Sequence, residues 1–295
     1  MHKARLVLVH GRAQEKKSEG ALIEEWIAPL REALGDRAIC LDQVEIRAPF
    51  YGNLLVELLA SLSEPEPGDI LVRGTDIYSN EDRYRTFMGE YVEVLRQREG
   101  IKDIQIASEA GIELIDRGPQ NWLWVLATIR ILNRIPGLDG NVIEHLLRDV
   151  WIYLERRTVR KEIDAIVAPA FDTDLPVVCI AHSLGTVIAY HILNERSFGS
   201  VPQLVTLGSP LGLDICRRAL SPIRHPPVVG HWFNARDKRD VVALYPLDSA
   251  YFPIDPEISN NDGVRNRTAN AHGISGYLNN SDVAGEIYRA LSVLR

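Results

Sequence analysis

The chain is short of cysteine, of positive charge and of long apolar runs, and each shortage narrows what it can be. Its three cysteines, Cys40, Cys179 and Cys216, are an odd number, and Cys179 lies in a run read below as a buried strand. No disulfide framework is indicated, so a reducing compartment is expected. Lys and Arg total 33 against 40 Asp and Glu, and the net charge of -7 argues against a general nucleic-acid binder. No uninterrupted apolar stretch is long enough to span a bilayer. The opening MHKARLVLVHG enters a strand at once, leaving no room for a signal-peptide hydrophobic region. A soluble, cytoplasmic protein is expected, and nothing in the residues calls for a metal or a cofactor.

What is present is ample core material. With 295 residues, 46% of them hydrophobic, the chain can form one α/β domain with insertions or two small domains. The organising stretch is VVCIAHSLGTVIAY, Val177 to Tyr190. Val177 to Ile180 reads as a central parallel strand covered on both faces, and from Thr186 the pattern turns helical. Ser183 stands at the corner, where a strained backbone would lift its hydroxyl above the sheet. Such a nucleophile elbow needs small residues two before and two after the serine. Here these are Ala181 and Gly185, one methyl group away from G-x-S-x-G. The alternative is an ordinary strand–helix joint with Ser183 as a helix cap.

In chain order, Leu6 to Val9 reads as a strand ending in His10-Gly11-Arg12, a turn whose amides can point outward. Beside an elbow, such amides would stabilise a developing oxyanion, with one N–H from Leu184 and another from Arg12. His10, Gly11 and His182 would then line the substrate site. Glu19 to Leu34 has helical apolar spacing, with Pro29 expected to kink or divide it. Ile39 to Ile46 is a candidate strand. The aromatic turn Pro49-Phe50-Tyr51-Gly52 after it either lines a pocket or closes the core edge.

The span from about Asn53 to Ala168 is mostly helical in pattern and far longer than one crossover helix. Glu64 to Gly68 marks a loop, and Asp69 to Val72 a short strand or helix start. Tyr84 to Arg98 and Ile143 to Val167 read as amphipathic helices. Asn121 to Ile135, with Trp122 and Trp124, is apolar around most of its circumference, so it either packs inside this insertion or offers a greasy face to a membrane surface or protein. The basic run Arg156 to Lys161 reads as a solvated helix face or a contact for anionic headgroups.

After the elbow helix, Thr186 to Asn194, come a strand at Leu204 to Leu207, a loop carrying Ser209, and a strand at Val228 to Asn234. An activated serine needs a histidine to take its proton and a carboxylate to orient that histidine. Asp237 and Asp240 both follow the last strand. Asp240 is preferred, because Val241, Val242 and Ala243 can anchor it against the protein body, whereas Asp237 lies between Arg236 and Lys238. Of eight histidines, only His272 follows the acid, on a loop before a final helix from Val283 to Leu294.

With HGR after the first strand, AHSLGT at the elbow, TLGSPLG, WFNARDKRDVVA and AHGISGYL, the chain resembles the α/β-hydrolase superfamily on its lipase and esterase side. LRDVWIYL, Leu147 to Leu154, is also similar to helices that some lipase-like members carry before the elbow. The resemblance covers mainly residues 5–12 and 176–280. It implies an α/β-hydrolase fold, a mostly parallel sheet flanked by helices, with residues 1–52 and 169–295 as core and 53–168 as a helical cap that is not an independent domain. It further implies Ser183, Asp240 and His272 as the triad, Arg12 and Leu184 as oxyanion donors, and no cofactor. The expected activity is hydrolysis of carboxylic esters, acyl lipids above all. A thioesterase or acyltransferase with the same triad, or a non-catalytic binding module on this fold, are the alternatives.

Overall fold

The computed structural model describes residues 2–11, 16–61, 80–111, 118–135, 140–268 and 270–294. It divides into two compact units, Met1–Ser63 with Tyr153–Arg295, and Glu64–Ile152. The first unit holds a sheet whose strands are β1 (Ala4–Val9), β2 (Val44–Arg47), β3 (Val177–His182), β4 (Val201–Leu207), β5 (Val229–Asp237) and β6 (Ser259–Val264). Their spatial order is β2-β1-β3-β4-β5-β6, and every described pairing is parallel. Parallel sheets need cover on both faces. Accordingly, all six residues of β3 are buried.

One face is covered by α1 (Glu19–Leu34) and by two helices near the C-terminus, Ile274–Leu278 and Ser281–Val293. Leu22, Trp26 and Leu30 of α1 share a core with Leu6, Leu8, Val178, Ile180, Val205 and Leu207 from the strands. The helix Leu184–Glu195 packs against β1 and β3.

Several sequence expectations change. Pro29 does not divide α1, which runs unbroken through it. The missing N–H loses one bond, but buried Trp26 and Leu30 on either side tie both turns to the same core. Ile39 to Ile46 is not one strand, since Gly35–Gln43 winds in 3₁₀ turns and only Val44–Arg47 is extended. Neighbouring Cys40 and Leu41 are both buried in one core, which the alternating faces of a strand would prevent.

From Ile143 to Val167 there are two helices rather than one. After α2 (Gly52–Ser61), α3 (Asn80–Arg98), α4 (Asp103–Ala110) and α5 (Trp122–Leu132) come α6 (Gly140–Glu155) and α7 (Arg157–Val167), parted at the extended Arg156. Arg160 Nη1 donates to the Leu154 carbonyl at 3.0 Å, satisfying a group near the end of α6. Among the described residues the α-helices that follow are α8 (Leu184–Glu195), α9 (Asp214–Ala219), α10 (Ile274–Leu278) and α11 (Ser281–Val293). Strand β6, SNNDGV, has no apolar alternation and escaped the sequence reading. As the last strand at one side of the sheet, it needs little apolar surface.

In the second unit α5 packs on α3 and α4. Trp124 is buried beneath the Arg96 guanidinium, Trp122 is half-buried beneath Arg85, and Leu123 is exposed. The expectations for Glu64 to Gly68 and Asp69 to Val72 lie outside the described residues. No helix among the described residues is long and apolar enough to cross a membrane.

The chain leaves β1 towards β2 on one side and returns as β3 on the other. Ligands of open parallel sheets bind at such a reversal, beyond the carboxyl ends of the strands. The register there pairs Val9 with Ala181 and His182 with Leu207, so His10, Ser183 and Gly208 emerge at one edge.

Candidate active site

Ser183 sits between β3 and α8 with φ 57° and ψ -128°, a conformation that costs an L-residue of order 1–3 kcal/mol. Packing on both sides holds it there. Its N–H donates to the Leu207 carbonyl at 3.1 Å. The Leu211 N–H donates to Ser209 Oγ at 3.2 Å, and the Ser209 and Thr186 hydroxyls bond to each other at 2.8 Å. Thr186 Oγ1 in turn donates to the Ser183 carbonyl at 2.7 Å, which orients the chain from Leu211 to the elbow. Ser209, expected only as loop structure near the site, is thus a brace. Gly185 lets α8 begin against β1: a Cβ there would lie 2.2 Å from the Val9 carbonyl oxygen. Ala181 is fully buried, so its methyl group fits where the usual motif has glycine.

The loop after β1 presses on the serine. A Cβ on Gly11 would stand 2.7 Å from Ser183 Cβ and 3.2 Å from its Oγ. His10 is buried, with Nε2 accepting the Tyr51 N–H at 3.3 Å and Nδ1 against the Gly11 carbonyl at 2.6 Å. The Tyr51 donor fixes the neutral tautomer with the proton on Nδ1. The Tyr51 ring stacks on the imidazole at 3.9 Å and its hydroxyl donates to the His10 carbonyl. His10 therefore spends both ring nitrogens on shaping this loop, and the aromatic turn supports it from behind. Arg12 lies outside the described residues. Leu184, buried, is the first residue of α8, where a helix leaves its N–H without an intrahelical partner.

Asp240 and His272 meet at the same edge, with His272 Nδ1 2.8 Å from Asp240 Oδ2. Asp240 is fully buried, and its Oδ1 accepts the Val242 N–H at 2.8 Å and the Ala243 N–H at 3.4 Å. Burial alone would raise its carboxyl, but the His272 imidazole and the hydrogen bonds from His272, Tyr277 and Val242 outweigh that and hold it below the usual range. Gly208, at φ 57°, brings the pair beside the elbow: a Cβ there would lie 3.0 Å from Asp240 Oδ2 and 3.1 Å from His272 Nδ1. His182, next to the serine, tilts against the His272 ring at 4.6 Å and donates from Nε2 to the His272 carbonyl at 2.8 Å. Ser183 Oγ and His272 Nε2 are buried, and neither has a hydrogen-bond partner among the described residues. The two atoms therefore make no direct hydrogen bond to each other.

Asp237, the rival acid, turns elsewhere. It binds Arg239 through both carboxylate oxygens, at 3.1 Å and 2.6 Å, and accepts the Asn266 N–H at 2.7 Å. Asn266 Nδ2 then donates to the Gly273 carbonyl at 2.6 Å, so Asp237 braces the loop that carries His272. Arg236 pairs with Asp262 on β6 and donates to the carbonyls of Ala243 and Leu244, which steadies the loop after Asp240. The sequence reading missed Tyr277, Gly208, Asn266 and Arg236 as parts of this site. Tyr277 and Gly208 stand inside AHGISGYL and TLGSPLG, and only proximity to Asp240 distinguishes them.

Two predictions arise here. Burial lowers His10 to about 4, while burial and neighbouring His272 lower His182 to about 3. Both rings stay neutral in the fold, so the unfolded chain binds protons first as pH falls. Their stabilisation is complete above about 6.5 and is lost as pH falls from there towards 4 and 3, by up to about 1.4 kcal/mol per unit for each ring. Urea midpoints should fall from pH 7 to pH 5, and less steeply in His182→Asn. Equal slopes would contradict the contribution of His182. Separately, Gly208→Ala should cost about 1–2 kcal/mol for its positive φ. By displacing the Asp240–His272 pair it should also slow any reaction of Ser183 at least about tenfold, measurable as the rate of covalent labelling.

No group of three or more His, Cys, Asp or Glu placed to hold a metal occurs among the described residues. Comparison with protein-family models, with curated proteins and with solved structures finds no match to this chain.

Proposed function

We propose that the chain has an α/β-hydrolase fold and is a serine hydrolase acting on carboxylic esters, acyl lipids being the favoured class. The observation that carries this reading is the strained backbone of Ser183 at a strand–helix corner. Ordinary helix starts do not need such strain, whereas a nucleophile held above a sheet does. The Asp240–His272 pair beside it supplies what a serine hydroxyl needs to react.

In the proposed reaction Ser183 Oγ attacks the ester carbonyl carbon while His272 Nε2 takes the hydroxyl proton. Asp240 fixes the His272 tautomer and stabilises the imidazolium. The developing oxyanion is met by the Leu184 N–H and by an N–H of the loop after β1, assigned to Arg12. His272 then gives its proton to the departing alcohol, leaving an acyl-enzyme. Water, deprotonated by His272, attacks the acyl carbon, and the proton returns to Ser183 Oγ as the acid leaves.

The test is intact-mass analysis after treatment with a fluorophosphonate, which phosphonylates an activated serine and releases fluoride. One adduct, mapped to Ser183 and lost in Ser183→Ala, is expected. No adduct on folded protein would overturn the reading.

A further inference from the structure

The Tyr277 hydroxyl donates to Asp240 Oδ2 at 2.7 Å, and the same oxygen receives His272 Nδ1–H at 2.8 Å. That hydroxyl in turn accepts the Asp237 N–H at 3.0 Å, which fixes the direction of its own proton. Tyr277 is fully buried on α10 and belongs to the core that α1 shares with the strands. Burial and, after it, the nearby Asp240 carboxylate push its phenol well above the usual value, so at neutral pH it remains a donor.

From this geometry we infer that Tyr277 is a positioning residue that tunes the Asp240–His272 bond by competing for the same carboxylate oxygen. An oxygen already accepting a charge-assisted bond from one donor is a weaker acceptor for a second. The position is built for this sharing, since Asp240 Oδ1 is occupied by the Val242 and Ala243 N–H groups and cannot relieve it. His182 Nε2 donates to the His272 carbonyl, which ties the backbone of that residue to the elbow. Of the ionisable groups nearby, Asp237 is paired with Arg239, and the buried His182 is neutral at neutral pH.

The role in hydrolysis rests on the proposed function, but the hydrogen-bond competition does not. Proton NMR of the whole protein reads the competition directly through the His272 Nδ1–H resonance. Tyr277→Phe, which removes the donor, should move it downfield. Replacing Tyr277 with 3-fluorotyrosine, a nearly isosteric and more acidic phenol, should move it upfield by strengthening the competitor. A purely structural tyrosine would not give opposite signs. If Tyr277→Phe fails to fold, the fluorinated variant alone decides. A resonance unmoved by the fluorinated variant, or moved downfield, overturns the inference.

The catalytic consequence is read with the fluorophosphonate across pH. A carboxylate relieved of one donor favours the imidazolium, so in Tyr277→Phe the acid limb of the labelling profile should move to higher pH by about half a unit to one unit. An unchanged limb on labelled protein would overturn the tuning of reactivity. Opposite NMR shifts on protein that takes no label would leave the Tyr277 competition standing and remove the hydrolase reading.

Discussion

Asp240→Asn should slow fluorophosphonate labelling of Ser183 by about 10⁴-fold, the loss expected when a triad histidine is held in the wrong tautomer. The local hydrogen bonds dictate that outcome. Asp240 Oδ1 accepts two backbone N–H groups, so an asparagine must place its carbonyl oxygen there. Its amide nitrogen then faces His272 Nδ1, where a donor is required to meet an acceptor. His272 responds by moving its proton to Nε2, the nitrogen that accepts the serine proton in the proposed reaction. Asp237→Asn should behave differently, leaving labelling within about threefold while lowering the melting temperature. Its carboxylate serves Arg239 and the Asn266 N–H, and the exposed Arg239 limits the pair's worth to about 1 kcal/mol. Labelling kinetics and thermal melts on both variants check this. Fast labelling of Asp240→Asn together with loss of labelling in Asp237→Asn would reverse the assignment of the acid.

Gly185→Ala should destabilise the protein by about 3 kcal/mol or more, at the upper end of what overpacking costs. The added Cβ would come within 2.2 Å of the Val9 oxygen, 2.5 Å of the His10 oxygen and 2.8 Å of the Val9 carbonyl carbon. All three are backbone atoms, and the β1–β3 ladder that pairs Val9 with Ala181 keeps them from yielding. Helix α8 must therefore lift from the sheet, taking the elbow with it. Ala181→Gly is the control: it deletes one buried methyl group on the other side of the serine and should cost about 1 kcal/mol. Urea denaturation of the two variants measures the asymmetry. Equal, small effects would show that α8 does not need its close approach to β1.

The parallel character of the whole sheet was only what the resemblance implied, whereas strand β3 was legible as a parallel strand because it is a short apolar run that two-sided burial satisfies. Strand β6 was not, since an edge position asks little of its side chains and SNNDGV pairs through its backbone. The single helix expected from Ile143 to Val167 fails for a related reason. Periodicity continues through Arg156, while the break depends on the Tyr153–Asp164 hydrogen bond and the Arg160 contact to the Leu154 carbonyl.

The sequence by itself determined that Ser183 stands between a buried strand and a helix, with small residues where the chain must bend sharply. It also offered two aspartates and a late histidine in workable order, because chain order and local composition are properties of the string. Tertiary structure decided what those residues face. It turned Asp240 towards His272 and Asp237 towards Arg239, gave Tyr277 a share of the acid's oxygen, and spent both nitrogens of His10 on its own loop. The contacts of Asp240 with His272, of Tyr277 with Asp240 and of His10 with Tyr51 join residues 32, 37 and 41 positions apart, and even the local pair of Asp237 and Arg239 takes its orientation from strand register and burial, which local sequence patterns do not encode.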